Sequence, residues 1–361
     1  MMKKLITLLL VAVLLTGCHK ERTVNSALLS ITETDGYTLV KVADPWKSGH
    51  VLHTYVLVDR NKPVPENLPE GTVVKVPVKK AIVYSDVYAR PIAELGCADA
   101  IAGVMDAEYF KTKSIVDGLK NGKVTDCGSS MSPSTERIVS VQPEALFMSP
   151  MENSGYGALD KMGIPIIEMA DYMEASPLDR ARWIEFIGLL FGKADEAEAI
   201  YNKVADDYTS LKALAAKDEK HPTVISEYVI NGVWYVPGGK SYKAALYADA
   251  GANYPWASDT SAGSLSLDFP RVLDKAQNAE FWLVTVYGQK LDSKSMLGLY
   301  PHNDQFSAFK NHGVYYVDTA TSGLFEETPF HPERLLREYV KLFHPTLLPD
   351  YTLKYYQPMG D

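Results

Sequence analysis

Asp195–Lys217 reads DEAEAIYNKVADDYTSLKALAAK and contains neither Gly nor Pro. Apolar residues recur at Ala197, Ile200, Val204, Tyr208, Leu211 and Ala215. Steps of three and four residues describe a helix with one buried stripe. About 23 helical residues reach roughly 35 Å, the width of a small domain. Just upstream, Ser176-Pro177-Leu178-Asp179 supplies an N-cap, a first-turn proline and an acid for a preceding helix, which Gly192 stops. The chain on both sides alternates short apolar runs with helical periodicity and glycine turns, the pattern of parallel sheets covered by helices. The long helix therefore reads as a strut between two α/β halves.

Working outward, residues 79–175 read as a first α/β lobe, 176–220 as the helical linker and 221–361 as a second lobe with a C-terminal helix. The expected strands in the first lobe include Ala81–Tyr84, Ala100–Met105 and Ala145–Met148, with helices over Asp86–Leu95, Thr135–Val141 and Tyr156–Met162. In the second lobe, strands are expected at Thr223–Val229, Phe281–Val286 and Val314–Val317. Residues 19–78 read as a polar tether over His19–Thr34, followed by a small antiparallel β-module from Gly36 to Val78. The fold class is α/β: two Rossmann-like lobes, one long rigid helix and a leading β-module.

Residues 1–18 carry a basic start, an apolar run from Leu5 to Leu15, and Leu15-Thr16-Gly17-Cys18, the form of a signal peptide with a bacterial lipobox. The run is short for a membrane span. The expectation is a protein lipidated at Cys18, anchored to a bacterial membrane and facing the periplasm or exterior. Cys97 and Cys127 have two readings, a disulfide or two buried small hydrophobes, and sequence does not decide between them.

The net charge of −9, without a basic patch, argues against a nucleic-acid partner. An enzyme reading finds no G-x-S-x-G elbow and no H-E-x-x-H motif. The eight histidines are scattered, which disfavours a bare metal-ion site. Twenty-two tyrosines suit a ligand cleft as well as a core.

Four stretches in order, KKAIVYSDVYARPIAELGCADAIAGV (Lys79–Val104), STERIVSVQPEALFMS (Ser134–Ser149), KMGIPIIEM (Lys161–Met169) and IGLLFGKADEAEAIYNKV (Ile187–Val204), carry a family resemblance. The chain resembles the substrate-binding lipoproteins of ABC importers for cobalamin, ferric siderophores and haem. WYVPGGKS, GSLSLDF and FEETPFHPE are similar to versions from Bacteroides-like bacteria. The resemblance implies a monomer with no cofactor of its own. It would take a ferric chelate, haem or cobalamin between its lobes and deliver it to a permease and ATPase complex. It also implies one docking acid on each lobe: Glu136 on the first, and on the second Asp268, because Pro270 occupies the matching position.

Ligands of two-lobe α/β folds lie beyond the carboxyl ends of the strands. That rule selects Tyr84, Ser85, Met105, Tyr109, Met131, Ser149, Met151, Asn153 and Tyr156 in the first lobe. In the second it selects Tyr228, Trp234, Trp256, Tyr287 and Phe325. Glu326 and Glu327 are candidate rim residues, and His331 is a candidate axial ligand to a haem iron.

Overall fold

The structure, a computed structural model, describes residues 23–361. Cys18 and the lipobox lie outside the described residues. Five strands form the leading module: β1 (Thr23–Asn25), β2 (Leu29–Glu33), β3 (Thr38–Ala43), β4 (Val51–Asp59) and β5 (Thr72–Val76). Two expectations are corrected here. β1 and β2 occupy the stretch read as tether, and the β4–β5 pair is parallel. Both early strands are short and polar on their outer face, which hides the period-two signal. Their inward residues Val24, Leu29 and Ile31 share one core with Ala81, Val83 and Phe147 of the first lobe. The Tyr55 hydroxyl donates to the Ile166 carbonyl at 2.9 Å and accepts from the Glu168 amide at 2.7 Å. The module is therefore fused to the first lobe.

The first lobe runs β6 (Ala81–Val83), α1 (Asp86–Glu94), β7 (Ile101–Val104), α2 (Lys113–Asn121), β8 (Thr125–Asp126), the hairpin β9 (Gly128–Ser129) and β10 (Ser132–Pro133), α3 (Thr135–Val141), β11 (Ala145–Met148) and β12 (Ile166–Glu168). Its sheet has the order β12-β11-β6-β7-β8 and is parallel throughout. AIV and ALFM are buried at every position, as strands covered on both faces must be. The helix expected over Tyr156–Met162 is only a 3-10 turn at Leu159–Lys161. Gly157, at φ 61°, and Gly163, at φ 66°, bracket too few residues for a stable α-helix.

Two helices follow, α4 (Pro177–Phe191) and α5 (Ala194–Ala215). Ser176 caps α4 by accepting from the Asp179 amide, and Gly192 ends it at φ 69°. Gly188 lets the pair close, since a Cβ there would lie 2.4 Å from the Ala197 Cβ. Asp195 and Glu196 favour the start of α5 through the helix dipole. The helix ends seven residues before Pro222. Its stripe matches expectation except that Tyr201 is buried where Ile200 was expected. Ala197, Tyr201 and Val204 pack into the core of the first lobe. Tyr208, Leu211 and Ala215 pack into the core of the second. One rigid rod is thus a structural member of both lobes.

The second lobe contains β13 (Val224–Ser226), β14 (Val229–Ile230), β15 (Val233–Pro237), α6 (Tyr242–Asp249), β16 (Ser264–Leu267), α7 (Phe269–Ala276), β17 (Phe281–Val286), α8 (Ser293–Leu299), α9 (Ser307–Lys310), β18 (Val314–Asp318), α10 (Leu324–Glu327), α11 (Pro332–Phe343) and β19 (Gln357–Pro358). β13, β17 and β18 are parallel neighbours and β19 closes the edge antiparallel. A separate antiparallel sheet, β14-β15-β16, is added to the second lobe. Among the described residues no helix is long and apolar enough to cross a membrane.

Candidate functional site

Tyr84 follows β6 and Ser149 follows β11. These strands are parallel neighbours, so both residues emerge at the carboxyl edge of the sheet. The Tyr84 hydroxyl donates to Ser149 Oγ at 3.2 Å, and the Tyr88 hydroxyl bonds the same oxygen at 2.6 Å. Tyr88 also donates to Asp171 Oδ1 at 3.1 Å, and Arg180 Nε donates to Asp171 Oδ2 at 3.1 Å. Asp171 is fully buried. Burial alone would lower the Arg180 pKa, but the Asp171 carboxylate raises it, so the guanidinium stays charged. That guanidinium lies 4.8 Å from the ring centre of Tyr242, at the start of α6. The network starts on strand ends of the first lobe and finishes on an aromatic ring of the second.

Glu227 directly follows β13 and adopts φ 64°. A non-glycine residue in that region stores roughly 1–3 kcal/mol of strain. Its backbone is held on both sides: the amide donates to the Leu283 carbonyl at 2.9 Å and its carbonyl accepts from Trp282 Nε1 at 2.7 Å. Glu227 Oε1 accepts from Lys243 Nζ, and from Thr285 Oγ1 at 3.2 Å. Burial would lower the Lys243 pKa, but the Glu227 charge raises it well above the ordinary lysine value.

Between these walls lies a cavity of about 420 Å³, within the range of small-ligand sites. Tyr172, Met173 and Glu174 line it from the first lobe. Glu227, Tyr228, Tyr235, Tyr242 and Phe325 line it from the second. The surface is aromatic, with a few fixed polar groups.

A second seam joins the lobes beside the cavity. Arg90 of α1 donates to Glu327 Oε1 at 2.8 Å, and Lys111 donates to Glu326 Oε1 at 2.8 Å and to the Thr319 carbonyl at 2.5 Å. His331 stands between Glu94 at 2.8 Å and Glu333 at 3.0 Å. Lys354 and Tyr355 also bond Glu327. These residues form a clasp between lobes. Glu327 is consequently spent on cations of the protein rather than on a ligand rim, whereas Glu326 gives one oxygen to Lys111 and keeps Oε2 buried without a partner among the described residues. His331 is buried with both ring nitrogens engaged, so it does not offer itself to an iron.

Of the expected ligand residues, Tyr84 and Ser149 meet in the first-lobe network, and Tyr228 and Phe325 line the cavity. Ser85 instead caps α1. Tyr156 donates to Glu168 Oε1 at 3.0 Å. Three expectations are corrected. Met105 is fully buried beside Ile82 and Cys127. Trp234 is fully buried and stacks on Trp282 with ring centres 5.3 Å apart. Trp256 packs edge-on against Tyr254 in the second-lobe core. Tyr109, Met131, Met151, Asn153 and Tyr287 do not line the cavity; all are exposed, on segments that follow β7, β8, β11 and β17. The topology places these segments at the carboxyl edges of the two sheets.

Sequence reasoning missed Tyr88, Asp171, Arg180, Glu227, Tyr235, Tyr242 and Lys243. Glu227 was within reach, because it is the first residue after a buried strand. Glu136 is exposed in the first turn of α3, and Asp268 caps α7 by accepting from the Arg271 amide at 3.0 Å. Pro270 occupies the second position of α7, as Glu136 does in α3. Cys97 and Cys127 are both free, and burial pushes the Cys127 thiol up to about 11.

A family model described as periplasmic binding protein matches residues 82–321. The chain is 26% identical over 285 residues to an uncharacterized lipoprotein of Methanocaldococcus jannaschii, covering 72% of this chain and 66% of that one. It therefore spans just under two thirds of that relative's length. It is 25% identical over 272 residues to the petrobactin-binding protein YclQ of Bacillus subtilis, covering 70% of this chain and 78% of that one. The crystal structure of YclQ superposes with a TM-score of 0.59 at 17% identity, covering 84% of this chain and 99% of the other. A periplasmic heme binding protein of Pseudomonas aeruginosa gives a TM-score of 0.60 at 15% identity, covering 79% and 99%. The matched model spans more than half of the chain, its members are binding proteins, and the chain belongs to the periplasmic binding protein family.

Proposed function

We propose that this protein is the substrate-binding lipoprotein of an ABC importer. It captures an iron chelate (a siderophore or haem) or cobalamin between its lobes and delivers it to a membrane permease. Cys18 carries the lipid that keeps it at the membrane. The observation that carries the reading is α5, whose two halves belong to different lobe cores across one aromatic cavity. A single shared helix permits little relative motion, which suits a bulky rigid ligand in a preformed site.

Tyr84 and Ser149 would hold the ligand from the first lobe, with Tyr228 and Phe325 opposite. The exposed Tyr109, Met131, Met151, Asn153 and Tyr287 would flank it. Calorimetric titration with cobalamin, haem and a siderophore panel tests capture. Binding at about 1 μM or tighter is expected for at least one of them, and no binding by any contradicts the reading.

Glu136 and Asp268 would dock the permease. Glu136→Arg should leave the ligand titration unchanged and abolish uptake in cells. Unchanged uptake contradicts the docking role. Pro270 favours a second reading, a surface scavenger that works without a permease, in which Glu136→Arg has no effect on uptake.

A further inference from the structure

The cavity walls contain carboxylate oxygens that the protein itself leaves unsatisfied. Glu227 Oε1 takes bonds from Lys243 and Thr285, while Glu227 Oε2 has no hydrogen-bond partner among the described residues. On the opposite wall Glu174 is 2% exposed. Its Oε1 accepts from Ser26 Oγ at 2.5 Å, the Leu28 amide at 3.2 Å and Trp183 Nε1 at 3.0 Å. Its Oε2 is buried without a partner among the described residues. A buried acceptor lacking a donor costs roughly 1–3 kcal/mol, a cost that a donor from the ligand would relieve.

The cations nearby are already committed. Lys243 is paired with Glu227, Arg180 with Asp171, Arg90 with Glu327 and Lys111 with Glu326. A ligand carboxylate or catecholate would meet two acids and no available guanidinium among these residues. Recognition of anions relies on unpaired forks of that kind.

We propose that the cavity selects chelates or corrinoids whose periphery donates hydrogen bonds or carries positive charge, and that Glu227 reads this feature. The inference rests on the capture reading above. Glu227 is held in place from three directions. Trp282 fixes its carbonyl, Thr285 and Lys243 fix one carboxylate oxygen, and the other remains for the ligand. Glu174 receives a second donor from the first-lobe side.

Calorimetric titration of the purified protein with four probes tests this selection. Cyanocobalamin has a rim of neutral amides, and ferrioxamine B is a cation. Haem carries propionates, and ferric enterobactin is a catecholate anion. Glu227→Gln is titrated in parallel. Because it deprives Lys243 of its counter-ion, the double variant Glu227→Gln/Lys243→Met is titrated too, with melting temperature as the check on folding. The expected result is binding of cyanocobalamin or ferrioxamine B at least about tenfold tighter than either anionic probe. Both variants should lose about 10- to 100-fold for that ligand, the worth of a charge-assisted bond. Tighter binding of haem or ferric enterobactin would overturn the inference and leave capture standing. So would an affinity for the preferred probe that neither variant changes. No binding of any probe would overturn both.

Discussion

Two seams join the lobes, and they are built in opposite ways. The clasp is closed: Arg90, Lys111 and His331 each meet carboxylates from the other lobe, and Glu327 is bonded by Arg90, Lys354 and Tyr355. The cavity is open: aromatic rings line it, and Glu174 and Glu227 each keep an oxygen without a donor among the described residues. The clasp commits its cations to carboxylates of the opposite lobe and so serves the geometry of the lobes, although Glu326 Oε2 and Glu333 Oε2 stay buried there without a partner among the described residues. The cavity keeps its unpartnered oxygens on residues that line open volume, where a ligand donor can supply what the protein withholds.

The largest effect should come from the buried pair behind the cavity. Asp171→Ala leaves the Arg180 charge buried and alone, which costs about 3–5 kcal/mol. Denaturant unfolding should show that loss together with weakened ligand binding. A loss under about 1 kcal/mol would mean that the network does not brace the wall.

Next comes the cavity surface. Phe325 is 50% exposed, so Phe325→Ala should hardly move the melting temperature yet weaken ligand binding about tenfold. Equal affinity would place the ligand elsewhere in the cleft. The clasp should respond the other way: Glu327→Gln should lower stability by about 1–3 kcal/mol and change the dissociation constant less than about threefold. If affinity fell as far as it does in Phe325→Ala, the two seams would not be separate in role.

The smallest effect is the pH dependence of the clasp. Burial would lower the His331 pKa, but the bonds to Glu333 and Glu94 raise it above the ordinary histidine value. A group raised on folding contributes stability that is fully present below its unfolded pKa and is lost as pH rises through the folded one. The melting temperature should therefore fall modestly as pH rises from about 6.5 through the raised value, and His331→Gln should remove that slope. A slope of equal size in the variant would assign it to another group.

The strut was legible because α5 is long, uninterrupted and strictly periodic; period alone could not say which lobe each half joins. β1 and β2 escaped because three to five residues with a polar outer face resemble a tether. Trp234 was misread for a reason that β15 makes plain. Successive side chains point to opposite faces, so Trp234 enters the core and Tyr235 lines the cavity. A rule that selects strand ends cannot choose between neighbours without the facing. Met105 failed the same test. The clasp joins residues such as Arg90 and Glu327, 237 positions apart, and no local pattern marks such a pair.

Whether the shared helix and the clasp hold a preformed site is tested most directly by small-angle scattering of the protein, alone and saturated with the chelate that titration identifies. A preformed site predicts a radius of gyration unchanged to within about 1 Å. A contraction of several Å, as two lobes swing shut on a flexible hinge, would contradict it.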